Sequence, residues 1–346
     1  MKKTALAFLA MTPILFLQSA DTQSTPQDET TRLRMNVVLV QLSIAVTDSK
    51  GNYVNGLKPE DFEVTEDKIS QKISSFEEGS GSPPDIEPDQ TLDAKRTVRP
   101  AGSQEIAKTD LHLQTASTAM TEPHGNQASV FVLFDTSNYM YRGFVFAQDA
   151  ITDFIRSMDG ASKVAFYSYC RDLSRAMQLT SDHFGILNAV RSTVAGDDAA
   201  LYNSLLLTVK DAAPLKGRKA IVVFSNGPDN ASSVPPEDVA ELAQSTGTII
   251  YIISTRQAEE DPASAAAFER MSRVSGGKAY FAKNWLDERK AFSSIREDLV
   301  HLYTLSYYPQ ANPNRGWRSI KVRLVGKDLQ KYHLRTRDGY RLAAQR

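Results

Sequence analysis

Residues 130–140 read VFVLFDTSNYM: five apolar residues of strand character run into Asp135, with a hydroxyl two residues on at Ser137. An acid that leaves a buried strand beside a hydroxyl is a place where a hard cation or a phosphate can be held, because oxygen ligands converge there. A serine at position 139 would sharpen that pattern, but the residue is Tyr139. The competing reading is local. An Asp or Ser at a strand end accepts hydrogen bonds from amides of its own loop or of the helix that follows.

Other chemistries are poorly served. No Gly-x-Gly-x-x-Gly follows a strand, and there is neither a P-loop nor a His-Glu-x-x-His. The five histidines, at 112, 124, 183, 301 and 333, never pair at ligand spacing. Ser137 lacks the Gly-x-Ser-x-Gly elbow that exposes a nucleophile, and a base for it would have to be His183. A secreted α/β hydrolase is therefore the weaker alternative, and no catalytic or cofactor-binding residue is expected. Cys170 is the single cysteine, so no intrachain disulfide exists; within VAFYSYC it reads as a packed strand residue. Forty Lys and Arg against 41 Asp and Glu argue against a nucleic acid held by bulk charge.

The elements that must position Asp135 follow from patterning. Strands are predicted at 130–135, 163–169, 174–179, 219–225, 247–253 and 277–282. Helices are predicted near 144–158, 182–192, 200–211, 236–244, 262–274 and 286–300. The runs IVVFS and TIIYIIS are continuously apolar, as strands are when helices cover both faces of a parallel sheet. Strand–helix alternation over 129–300 gives a doubly wound α/β fold. Residues 35–78 and 301–343 are β-rich, each too small to bury a core alone. Their pairing into one β-sandwich-like domain, with 129–300 inserted, is the economical arrangement. Between them, 79–126 has no aromatic residue and abundant Pro, Ser, Gln, Thr and Asp, the composition of a disordered linker.

The first 20 residues, MKKTALAFLAMTPILFLQSA, have two lysines, an apolar run and a small-residue end. This is the pattern of a secretory signal peptide cleaved after Ala20, an uncleaved anchor being the alternative. A periplasmic or secreted location is expected.

Five ordered segments carry a resemblance: VNGLKPEDFEVTEDKISQKISSFEEG, VFVLFDTSNYM, ALYNSLLLTVKDA, IVVFSNGPDN and the closing LSYYP and RTRDGYRL. Together they resemble exported bacterial proteins with a von Willebrand factor A-related domain, described largely from acidobacterial genomes. The resemblance implies a Rossmann-like von Willebrand factor A sheet with a ligand site above the strand ends, and no defined activity. Many such domains hold magnesium or manganese in a metal-ion-dependent adhesion site of Asp-x-Ser-x-Ser, a threonine from a second loop and an aspartate after the fourth strand. Carried over, Asp135 and Ser137 match. Tyr139 replaces the second serine, Ala199 the threonine and Asn226 the aspartate. The expectation is a vestigial site without a conventional metal. Its rescue would need Asp197 or Asp198 to turn a carboxylate inward, and the simpler reading makes both solvated loop acids. Asp229 and Asn230 read as turn formers, and the sequon at Asn230 as chance. The expected function is a non-enzymatic protein-binding or adhesion-type module. Its protein partner, in the envelope or outside the cell, would meet Asp135, Ser137, Tyr139, Tyr141 and Asp229. A structural or assembly factor of the envelope is the nearest variant.

Overall fold

The computed structural model describes residues 39–79, 128–141, 143–158, 162–255 and 261–342. The signal peptide expected at 1–20, the start of the β-rich segment expected at 35–78 and, apart from Gly79, the linker expected at 79–126 lie outside these residues.

Six strands form the central sheet: β5 (Ser129–Asp135), β6 (Lys163–Tyr169), β7 (Leu173–Thr180), β8 (Lys219–Ser225), β9 (Ile249–Thr255) and β10 (Ala279–Ala282). Their order is β10-β9-β8-β5-β6-β7, parallel throughout except for the antiparallel edge strand β7. β5 lies in the middle. Its Val130, Val132 and Phe134 join the core under α1 (Phe144–Ser157), α2 (His183–Arg191) and α6 (Trp285–His301). Phe131 and Leu133 join the core under α3 (Leu201–Ala212), α4 (Pro236–Thr246) and α5 (Pro262–Ser275). A strand buried on both faces has no polar side to show, which is why its sequence is a continuous apolar run.

The flanking strands pair across the chain as expected. β1 (Val40–Thr47) runs antiparallel to β11 (Tyr303–Tyr307), Val40 opposite Tyr307, and β11 also takes β4 (Ile73–Glu78). β13 (His333–Arg335) completes that sheet beside β1. The second sheet is β14-β12-β2-β3, from β14 (Gly339–Arg341), β12 (Trp317–Leu324), β2 (Phe62–Glu66) and β3 (Ile69–Gln71). The two share one core that includes Leu42, Ile44, Phe62, Val64, Tyr303 and Ile320. One detail lies beyond the β-rich reading of 35–78: three strands, not one hairpin, follow residue 62. Asp67 and Lys68 both have left-handed φ (48° and 71°) and fold β2 onto β3, after which the chain changes sheet to become β4. This is the backbone twist of a two-residue hairpin turn, made here without the usual glycine. Asp67 accepts hydrogen bonds from Asn312, Asn314 and Ser319 that hold the turn.

A buried clamp ties the sandwich to the α/β body. Asp298 of α6 has no exposed surface. It accepts the hydroxyl of Tyr53 at 2.9 Å, that of Tyr251 on β9 at 2.6 Å, and the Arg335 guanidinium of β13 at 2.6 and 2.5 Å. Burial and the neighbouring carboxylate hold the Tyr53 and Tyr251 phenols well above their ordinary range.

Candidate functional site

β5 delivers Asp135 to the carboxyl end of the sheet, between the ends of β6 and β8. Its carboxyl is buried and fully engaged. Oδ1 accepts the Ser137 N–H at 2.9 Å, the loop-amide bond expected of an acid at a strand end, and Oδ2 accepts the Ser225 hydroxyl at 2.8 Å. Ser225 in turn accepts the Tyr169 hydroxyl at 3.0 Å. Burial raises the Asp135 pKa against the opposing pull of these hydrogen bonds. Burial and the nearby Asp135 hold the Tyr169 phenol well above its ordinary range. Tyr169 and Ser225 were not singled out from the sequence. Both end strands that flank β5, so the sheet order is the signal that finds them.

The other residues of the expected site are dispersed. Tyr139 is half-buried with its ring packed on the core under α3. Its carbonyl accepts Asn226 Nδ2 at 2.5 Å. That bond fixes the amide, leaving Asn226 Oδ1 buried without a partner, as Ser137 Oγ also is. Ala199 is buried and offers only backbone: its N–H goes to Asn230 Oδ1 at 2.8 Å, and its carbonyl accepts the amides of Asn230 and Ala231.

The loop at 192–199 is stitched to the Asp135 loop by backbone, Gly196 N–H to the Thr136 carbonyl at 2.7 Å and Asn138 N–H to the Asp197 carbonyl at 2.8 Å. Asp197 is exposed, and Asp198 pairs with Arg171 at 2.8 Å and accepts Asn230 Nδ2 at 3.3 Å. An inward-turned carboxylate from this loop is not the arrangement found. Asp229 accepts the amide of Tyr202 in the first turn of α3 at 2.9 Å, and that of Ser232 at 2.9 Å. It thereby supplies the cap that Ala200, at the N-cap of α3, has no side chain to make. The five-residue partner face needs the same correction. Asp135 and Ser137 have no exposed area and lie beneath the surface, while Tyr141 is 77% exposed. Other exposed apolar side chains are Val145 and Phe146 in the first turn of α1, and Val194 in the stitched loop.

A magnesium-type ion needs near-octahedral oxygen coordination and gives up water reluctantly. Here the one acid has both oxygens occupied, Ala199 contributes no side-chain oxygen, and the two free oxygens are neutral. Among the described residues no group of three or more His, Cys, Asp or Glu could hold a metal ion. The donor set does not fit such an ion.

The von Willebrand factor type A domain profile matches residues 129–294. No curated protein is matched by the sequence. Among solved structures, BatB from Bacteroides thetaiotaomicron is similar at 16% identity and a TM-score of 0.42, covering 50% of this chain and 97% of its own. A von Willebrand factor type A structure from Catenulispora acidiphila shares 11% identity at a TM-score of 0.43, covering 62% and 67%. The von Willebrand factor domain of the type V pili tip protein Mfa5 from Porphyromonas gingivalis shares 12% at 0.43, covering 49% and 94%. Over residues 129–294, then, this chain carries a von Willebrand factor type A domain.

Proposed function

We propose that this protein is an exported, non-enzymatic binding module whose carboxyl-end face meets a protein partner of the cell envelope or exterior without a divalent cation. The observation that carries the reading is the contrast at that face. Its acid is buried and hydrogen-bonded within the fold, while apolar side chains of the adjoining loops and helix start stand out in solvent. Tyr141, Val145, Phe146 and Val194 are each more than half exposed. Exposed large apolar side chains at a ligand-bearing end of a sheet are the material from which interaction sites are made.

The geometry disfavours the hydrolase alternative. His183 follows β7, whose last residue Thr180 pairs with Val164 near the start of β6. It therefore lies at the amino end of the sheet, whereas Ser137 lies at the carboxyl end, out of reach of a base. Among the described residues no helix is long and apolar enough to cross a membrane. The reading keeps residues 1–20 as an export signal and 79–126 as a linker.

The experiment is capture of a partner from envelope extract by the immobilised protein, in EDTA and in millimolar magnesium. Equal capture in both, with loss in Tyr141→Ala, is expected. Capture that disappears in EDTA, together with a calorimetric magnesium signal absent from Asp135→Ala, would overturn the reading.

A further inference from the structure

We propose that residues 39–79 are held on the surface built by 298–341 as a subunit is held, so that the protein persists as a two-chain complex when its chain is cut between Gly79 and Ala128. The inference goes beyond the binding role proposed above and does not depend on it.

The contacts are confined to that one surface. Among the described residues, the hydrogen bonds that 39–79 makes beyond itself end in 298–341, apart from one to Arg218. Its strands pair there too: β1 with β11 and β13, β4 with β11, and β2 with β12. The centre is Glu66, a buried acid. It accepts the Arg318 guanidinium at 2.8 Å and the hydroxyls of Tyr307 and Tyr340 at 3.0 and 2.9 Å. All three donors lie across the interface, so withdrawing Glu66 strands a buried cation as well as the acid. Tyr53 makes a second anchor. Its hydroxyl donates to Asp298, its ring stacks on His301 at 5.0 Å, and Asn55 meets the same histidine at 3.1 Å. Between these anchors, Leu42, Ile44, Phe62 and Val64 share one core with Tyr303, Leu305, Tyr307 and Ile320. An apolar core with buried, paired aromatic and charged anchors is the make-up of a stable interface between chains.

The accepting surface is positioned by the α/β body. Arg335 reaches Asp298 of α6, Asp338 accepts Gln244 of α4 at 2.5 Å, and Arg337 and Arg341 also bond α4, to the Gln244 carbonyl and Glu241. None of these bonds uses 39–79. Arg218, itself buried, marks where the connection leaves and returns. Its Nη2 donates to the Gly79 carbonyl at 3.3 Å, and its own carbonyl accepts the Ser129 N–H at 2.9 Å. The Gly79 N–H is fixed separately, on the Leu302 carbonyl at 3.0 Å. The two ends of 80–127 thus lie beside one residue, each with its own bond. Hydrolysis by an endoprotease adds one water across a peptide bond of 80–127 and breaks none of these contacts. What the cut removes is effective concentration, on the order of millimolar for a flexible tether.

The test replaces Ala101–Ala107 of the full chain with a protease recognition sequence, cuts the folded protein, and follows it by size-exclusion chromatography and thermal melting at several concentrations. The two fragments should elute together at micromolar concentration. The Tm of the cut protein should fall on dilution while that of the uncut protein stays constant, because melting now separates two molecules. Tyr53→Phe keeps the ring and removes the hydroxyl on Asp298. Cut Tyr53→Phe should melt as though the cut wild-type protein had been diluted about tenfold. Separation or aggregation of the smaller fragment on cutting would overturn the proposal. So would a Tm of the cut protein that does not move with concentration, or a cut Tyr53→Phe protein indistinguishable from cut wild type.

Discussion

Replacing Asp298 by alanine tests how the two parts of the molecule are held together. The side chain accepts two tyrosine hydroxyls and the Arg335 guanidinium. Its side chain is 1% exposed and that of Arg335 29%. Removing the acid strands a largely buried cation and two phenol donors. Breaking a buried pair from one side costs about 3–5 kcal/mol, most of it the penalty of the charge left behind. For a chain of this size that corresponds to a fall in Tm of about 10 °C.

Arg335→Met should cost a similar amount, because it leaves a buried carboxylate. The double variant removes both charges, so its loss should fall short of the sum of the singles by about 2 kcal/mol. Urea denaturation followed by circular dichroism and by tryptophan fluorescence measures this, and it also reports whether the transitions separate. Trp317 lies on β12 of the sandwich and Trp285 on α6 of the body. In Asp298→Ala the two probes should no longer coincide. A loss under about 1 kcal/mol, or strictly additive singles, would refute the account of the clamp.

Two further outcomes are expected. Gly277→Ala should cost at least about 2 kcal/mol, because its Cβ would lie 2.0 Å from the Ile250 carbonyl oxygen, while Gly143→Ala, whose Cβ would meet nothing closer than 3.9 Å, should be near neutral by the same melt. Asp67 is held down to about 2, first by the Asn312 amide and then by the Ser319 N–H. A depressed carboxyl adds stability above its unfolded pKa and loses it as pH falls through the folded one. Stability should therefore drop between about pH 4 and pH 2, and Asp67→Asn, tolerated at a left-handed φ, should flatten that segment of the pH titration.

The sequence reading reached the secondary structure of the body closely because strands buried on both faces and amphipathic helices leave distinct periodicities. Helix 262–274 is found at Pro262–Ser275 and strand 163–169 at Lys163–Tyr169. The turn at Asp67-Lys68 was hidden because its left-handed backbone is held by Asn312 and Asn314, far away in the chain. The site was legible as a list of matched positions but not as an arrangement. Nothing local to VFVLFDTSNYM says that Ser225 will occupy Asp135 Oδ2, that Asp229 will cap α3, or that Tyr139 will pack downward. Those contacts depend on which strands become neighbours. The Asp298 clamp was invisible for the same reason, its partners coming from 53, 251 and 335.

The pairing of β1 with β11 also sets an order of events. Val40 cannot meet Tyr307 until nearly the whole chain is present, whereas every parallel neighbour of β5 lies within the inserted body. Closing the longer loop carries the larger entropic penalty and slows the step that needs it. The inserted body therefore collapses first and brings the two ends of the chain together, and β1 and β4, whose partners β11 and β13 come late in the chain, wait unpaired until it has. Exposed strands of this kind are prone to join the wrong partner. During refolding from denaturant, the interval before β11 arrives is when this protein is open to aggregation.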